Sequence, residues 1–111
     1  MDEPGSQRPL TVSTTRHADR CVIAPIGDLD LSSAATLDAE VRAAEATTDV
    51  DQIIIDLSGV TFMDSTGLRL LVQADARSRA DSNRLRLVRG SRRVQRVFEL
   101  TNTEAMLPFV D

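Results

Sequence analysis

The sequence predicts an α/β domain: a mixed, mostly parallel sheet of four to five strands, opened by an N-terminal antiparallel hairpin and covered by helices. Three observations carry this. Short β-branched apolar runs alternate with longer segments of helical period. Ser or Asp stands just before each helical segment, where a side-chain oxygen can accept from the first free N–H groups. The 111 residues with 41% apolar content suffice for one core without disulfide or metal staples.

Residues 1–9 hold Pro4, Gly5, Ser6 and Pro9 and read as a flexible leader, so the domain proper runs over 10–111. Leu10 to Arg16 sets Leu10, Val12 and Thr14 on one face, as a half-buried strand does. A His-Ala-Asp turn follows, and Arg20 to Ile26 is its hairpin partner. Pro25 cannot donate to a ladder, which places it on an edge or at a bulge. After Gly27-Asp28-Leu29-Asp30, Ser32 or Ser33 can cap a helix whose inward face is Ala34, Leu37, Val41 and Ala44, with Asp38 and Arg42 paired outside.

Gln52 to Leu57 is too short for a helix and β-branched, as a buried parallel strand is. Ser58-Gly59 turns the chain, and a short apolar stretch, Val60 to Met63, leads into Asp64-Ser65-Thr66-Gly67 and a second helix. Leu68, Leu71, Val72 and Ala76 are its expected inward face; Arg69, Gln73 and Arg77 its outward one. Leu85 to Val88 is a further strand. Ser91 caps a third helix with Val94, Val97, Phe98 and Leu100 apolar, closed by Asn102 in the left-handed region. Met106 to Val110 forms a last short strand or packs against the sheet.

Composition removes several functions. All 13 basic residues are Arg, so no P-loop, Schiff-base or kinase lysine exists. Net charge is −4, with three Phe and no Trp or Tyr, which speaks against nucleic acid and anionic membranes as direct partners. His17 is the single histidine and Cys21 the single cysteine, too few for a zinc site or for a serine triad lacking its nucleophile elbow. Cys21, beside Val22 and Ile23, reads as a buried small hydrophobe. The acidic N-terminus has no apolar signal region, and no stretch has the length of a membrane span, so the expected setting is cytoplasmic, without cofactor or metal.

Three constellations carry possible chemistry. Asp28-Leu29-Asp30 loosely matches the aspartate nucleophile of haloacid dehalogenase-type phosphatases, but the cation and further acids of that site are missing. A strand-end turn with solvated carboxylates is the simpler reading. Arg92, Arg93 and Arg96 lie on the exposed face of the third helix, either as a solvated face or as a patch for an acidic protein partner. Asp64-Ser65-Thr66-Gly67 puts hydroxyls at a helix start, where the dipole favours negative charge.

On the residues alone, ordinary capping and a phosphorylation switch stand level at that helix start. Two details weigh toward a switch. Gly67 costs helix stability by up to about 1 kcal/mol relative to Ala, yet would let another protein approach the backbone beside Ser65. Arg69, four residues on, can pair with a phosphate on Ser65.

These residues resemble the STAS domain family of bacterial anti-sigma factor antagonists and sulfate-transporter C-terminal domains. The likeness rests on Gly27-Asp28-Leu29-Asp30, Ile53 to Leu57, Phe62-Met63-Asp64-Ser65-Thr66-Gly67-Leu68, and Arg93 to Leu100 with Thr101-Asn102, and spans about residues 10–111. It implies a single STAS-type domain, not an enzyme, in which Ser65 is phosphorylated by an anti-sigma factor that is a serine kinase. Thr66 is then a second possible acceptor, and Asp64 positions Ser65 and caps the helix. Asp28, Asp30, Asp64, Ser65, Thr66, Gly67 and Arg69 form the implied partner surface, with Arg69 standing where many members have Gly. Partner switching is the implied function: the unphosphorylated domain binds the anti-sigma factor and frees a sigma factor, and a serine phosphatase resets it. The alternative is an accessory STAS subunit of a transport or lipid-trafficking system, with the serine structural. Oligomeric state is left open.

Overall fold

A computed structural model describes residues 8–110. Of the expected leader, only Arg8 and Pro9 belong to these; residues 1–7 lie outside the described residues, as does Asp111.

Strands β1 (Thr11–His17) and β2 (Arg20–Leu29) form the expected antiparallel hairpin, in register from Thr11 opposite Ile26 to His17 opposite Arg20. Ala18 opens the two-residue turn with φ 55°, the positive value that lets such a turn match the twist of its strands. The first half of β2 then pairs parallel with β3 (Gln52–Asp56) and its second half with β4 (Val60–Met63). Strand β5 (Leu85–Val88) lies parallel to β3, and β6 (Phe109–Val110) parallel to β5. The lateral order is β1-β2-β3-β5-β6, with β4 on β2 off that path. The sheet thus has six strands, because the short segments Val60–Met63 and Phe109–Val110 both pair.

Pro25 sits not on an edge but inside β2, which is paired on both sides. With His17 and Arg20 closing a two-residue turn, the hydrogen-bonded hairpin pairs fall on even positions of β2, so the Pro25 nitrogen faces the parallel side. There it lies beyond the β3 ladder, which ends at Ile23, and before the β4 ladder, which starts at Gly27. No bond is lost in that gap. The irregularity itself falls between Gly27 and Asp28.

Helix α1 (Ala34–Glu45) buries Ala34, Leu37, Val41 and Ala44, the expected stripe, and its Asp38 and Arg42 pair at 3.1 Å. Helix α2 (Ser65–Ala80) is rotated from the expected phase: Gly67, Leu70, Leu71, Ala74 and Asp75 are buried, Leu68 and Val72 half-buried, and Ala76 exposed. Apolar residues occupy most of its circumference, so periodicity fits more than one phase and packing selects between them. Asp75 is buried because the Arg79 guanidinium reaches it at 2.9 Å, one helical turn on.

Helix α3 (Arg92–Leu100) buries Val94, Gln95 and Phe98. The Ser91 hydroxyl caps it by accepting from the Val94 N–H at 3.2 Å, and Asn102 takes φ 59° just past its end. Leu100, expected inward, is 69% exposed, since it falls on the helix's last turn opposite Val94 and Phe98.

Leu37, Leu71 and Phe98 from the helices meet Ile23, Ile55 and Leu87 from the strands in one fully buried core. Each such side chain contributes roughly 1.5–3 kcal/mol by leaving water. Cys21 belongs to this core, and burial pushes its thiol pKa up, as an inert hydrophobe requires. No helix among the described residues is long and apolar enough to cross a membrane.

Candidate functional site

The carboxyl ends of β2 and β4 bring two motifs together that lie more than 30 residues apart in sequence. Leu29 is the joint. Its carbonyl accepts from the Asp64 N–H at 3.3 Å, which ties the turn after β2 to the start of α2. Its side chain also packs against Gly67: a Cβ on Gly67 would come within 2.8 Å of both Leu29 and Met63. Only hydrogen fits there, so glycine at this position is set by close packing of the helix start on β2.

At the start of α2 the chain is extended at Asp64, with φ −106° and ψ −170°, and helical from Ser65 on. One carboxylate oxygen of Asp64 accepts from the N–H groups of Thr66 at 2.9 Å and Gly67 at 3.3 Å. Asp64 is therefore the cap, and Ser65 is the first residue inside the helix. Ser65 is exposed, and its hydroxyl makes no side-chain hydrogen bond among the described residues. Thr66 is half-buried. Arg69 is exposed one turn further along and forms no ion pair among the described residues.

The turn after β2 is organised by its own polar groups. The Asp30 carboxylate accepts from the Ser32 N–H at 3.1 Å and the Ser32 hydroxyl at 2.8 Å. Ser33 occupies the cap position of α1 but makes no capping bond. Its hydroxyl donates to the Asp28 carbonyl at 2.7 Å and accepts from the Asp30 N–H at 3.0 Å.

Asp28 differs from the expected solvated carboxylate: it is only 3% exposed. The Thr61 hydroxyl of β4 donates to it at 2.6 Å and the Arg8 N–H at 3.1 Å, while its own N–H reaches the Arg8 carbonyl at 3.0 Å. These bonds clip the segment before β1 onto the end of β2. Gly27 helps: its φ of 115° and the close approach of the Pro9 carbonyl leave no room for a side chain. A carboxylate so enclosed is not presented to an incoming phosphate ester, which removes the phosphatase geometry.

A family model described as the STAS domain matches residues 11–111. The chain belongs to the STAS domain family. Solved structures agree in fold. An anti-sigma factor antagonist from Mycobacterium paratuberculosis superposes with a TM-score of 0.79 at 24% identity, covering 90% of this chain and 84% of that one. The anti-sigma factor antagonist SpoIIAA in its unphosphorylated form gives 0.73 at 22% identity, covering 91% and 89%. The Bacillus cell fate determinant SpoIIAA in the phosphorylated form gives 0.68 at 22% identity, covering 91% and 92%.

In this STAS domain the residues singled out from sequence divide by accessibility. Ser65 and Arg69 are exposed, and Asp30, Asp64 and Thr66 are half-buried, around one end of the sheet. Asp28 and Gly67 are buried beneath that surface. The backbone that approaches Gly67 is the protein's own Leu29, not another molecule's.

Sequence reasoning passed over two neighbours, Thr61 and Leu31, and the placement of a third, Arg93. Thr61 holds Asp28, and Leu31 stands 79% exposed in the turn beside Asp30. Arg93 of α3 lies over the Phe62 ring of β4, with 5.9 Å to the centroid. Leu31 had a signal: an apolar residue inside an otherwise polar turn of Asp and Ser. Thr61 had none, and the arginine cluster of α3, though legible, carried no sign of the Arg93 contact with Phe62, because in both cases the partner is distant in sequence.

Proposed function

We propose that this STAS domain is an anti-sigma factor antagonist controlled by phosphorylation of Ser65. Unphosphorylated, it binds a cognate anti-sigma factor that is also a serine kinase and so frees a sigma factor. Phosphorylated, it releases that partner until a serine phosphatase restores the hydroxyl. In this reading the domain acts in the cytoplasm, is a substrate rather than an enzyme, and needs no cofactor.

The observation that carries the reading is the division of labour at α2. Asp64 does the capping, so the exposed Ser65 hydroxyl is free for a kinase and its loss or modification leaves the helix start intact. A phosphate there adds about −1.5 to −2 charges beside the Asp64 carboxylate. Burying that charge in an interface without matching cations costs several kcal/mol, and about 3 kcal/mol already weakens binding roughly a hundredfold. Arg69, one turn along and unpaired among the described residues, can hold the phosphate on the domain's own surface.

The test is incubation with ATP and the cognate kinase, read by mass spectrometry. One phosphate on Ser65, absent from Ser65→Ala, is the expected result. Modification confined to Thr66, or none, counts against the reading.

A further inference from the structure

Between Asp81 and Glu99 the chain has six arginines and no acid, in a protein whose net charge is −4. The fold sorts these six into two groups. Arg84 is turned inward, donating to the carbonyls of Glu45 at 2.8 Å, Thr47 at 2.9 Å and Val50 at 2.9 Å. Arg86 donates to the Leu85 carbonyl at 2.7 Å, and Arg89 pairs with Glu104 at 2.8 Å.

The other three, Arg92, Arg93 and Arg96, are exposed on one face of α3 and make no ion pair among the described residues. Arg93 lies over the Phe62 ring, and no contact among the described residues accounts for the charge of Arg92 or Arg96. Positive side chains in the first turn of a helix also face the positive end of its dipole, which is unfavourable. An unneutralised basic face there weakens the helix on its own and gains from a negative counterpart.

The position of this face gives it a context. Arg93 lies over Phe62, and Phe62 is followed directly by Met63, the cap Asp64 and Ser65. The basic face of α3 therefore lies against β4, the strand that leads into the helix start carrying Ser65.

We propose that Arg92, Arg93 and Arg96 form a docking surface for an acidic segment of a partner protein, next to Ser65. Charge complementarity selects the occupant. Three guanidinium groups in one and a half helical turns fit a short run of Asp or Glu carboxylates, which Arg can take in a bidentate fashion. A nucleic acid would need a broader footprint and aromatic platforms, and the rest of this acidic protein would repel it. The partner named under the proposed function is the one this segment belongs to, so the inference rests on that reading. It adds a consequence. A phosphate on Ser65 would face the same acidic segment that the arginines attract, and repulsion would then act beside the lost contact.

Two measurements on the full chain test this independently. In the first, a peptide of repeated Asp and Glu is titrated into isotope-labelled protein at low salt and followed by NMR. Amide shifts centred on residues 92–97 and on Phe62, abolished in Arg92→Gln/Arg93→Gln/Arg96→Gln and by high salt, are expected. No shifts there, or a larger response of α3 to duplex DNA or to phosphatidylserine vesicles, overturns the proposal.

In the second, the triple variant is bound to the anti-sigma factor. Its association rate should fall about tenfold or more at low salt, the scale of electrostatic steering, with dissociation little changed. Its melting temperature should stay within about 2 °C, since the three side chains are exposed. An unchanged association rate with a partner that does bind overturns the basic surface. Failure of the wild-type chain to bind the partner at all speaks against the proposed function instead, and the peptide titration then decides the basic surface by itself.

Discussion

Two helix starts meet at the carboxyl end of the sheet, and they use a serine in opposite ways. At α1, Ser33 stands in the cap position, yet its hydroxyl is consumed by the Asp28 carbonyl and the Asp30 N–H. At α2, Asp64 takes the capping bonds and leaves Ser65 outside every side-chain hydrogen bond among the described residues. A serine near a helix start is open to modification only where a neighbour does the capping. The pair also shows why the two motifs share one surface: the turn that Ser33 stitches together ends the strand on which Gly67 is packed.

The comparison can be broken most severely at its joint. Gly67→Val forces carbon atoms into Leu29 and Met63 and should destabilise the domain by about 2–3 kcal/mol, read as a lower urea midpoint with unchanged slope. Asp64→Ala removes two capping bonds and should cost about 1–2 kcal/mol by the same measurement. Ser33→Ala strips the turn of its hydroxyl bonds and should cost about 1 kcal/mol, leaving buried groups short of a partner. Ser65→Ala is the control: with no side-chain hydrogen bond at its hydroxyl among the described residues, stability should stay within about 0.5 kcal/mol. A loss at Ser65 equal to that at Ser33 would erase the distinction between the two serines.

A smaller effect sharpens the picture away from the site. The Arg16 side-chain hydrogen bond holds the Asp49 carboxyl below its ordinary pKa. A lowered folded-state pKa contributes stability above the unfolded value and loses it as pH falls through the folded one. The pair is exposed, so the pH dependence of the Asp49→Asn variant should differ only slightly from wild type, and only in the acid range.

What local sequence determined is what depends on neighbours along the chain. The strand runs, the hairpin, the α1 stripe, the cap at Ser91 and the left-handed Asn102 each need only residues within a few positions. The candidate hydroxyl was legible for the same reason: Asp64 and Ser65 are adjacent, and capping is a local act.

Only the tertiary structure decided the rest. The phase of α2 was open because apolar residues nearly encircle it, and the contact of Gly67 with Leu29 chose among the faces. Asp28 became a buried anchor because Thr61 and Arg8, distant in sequence, both reach it. Pro25 was admitted to a central strand by a gap between two ladders that no one-dimensional pattern encodes. Arg84 and Arg93 are alike in sequence, but one closes the end of α1 while the other stays on an open face. Periodicity records which residues prefer to leave water. Which partner each one meets depends on chain segments brought together only by folding.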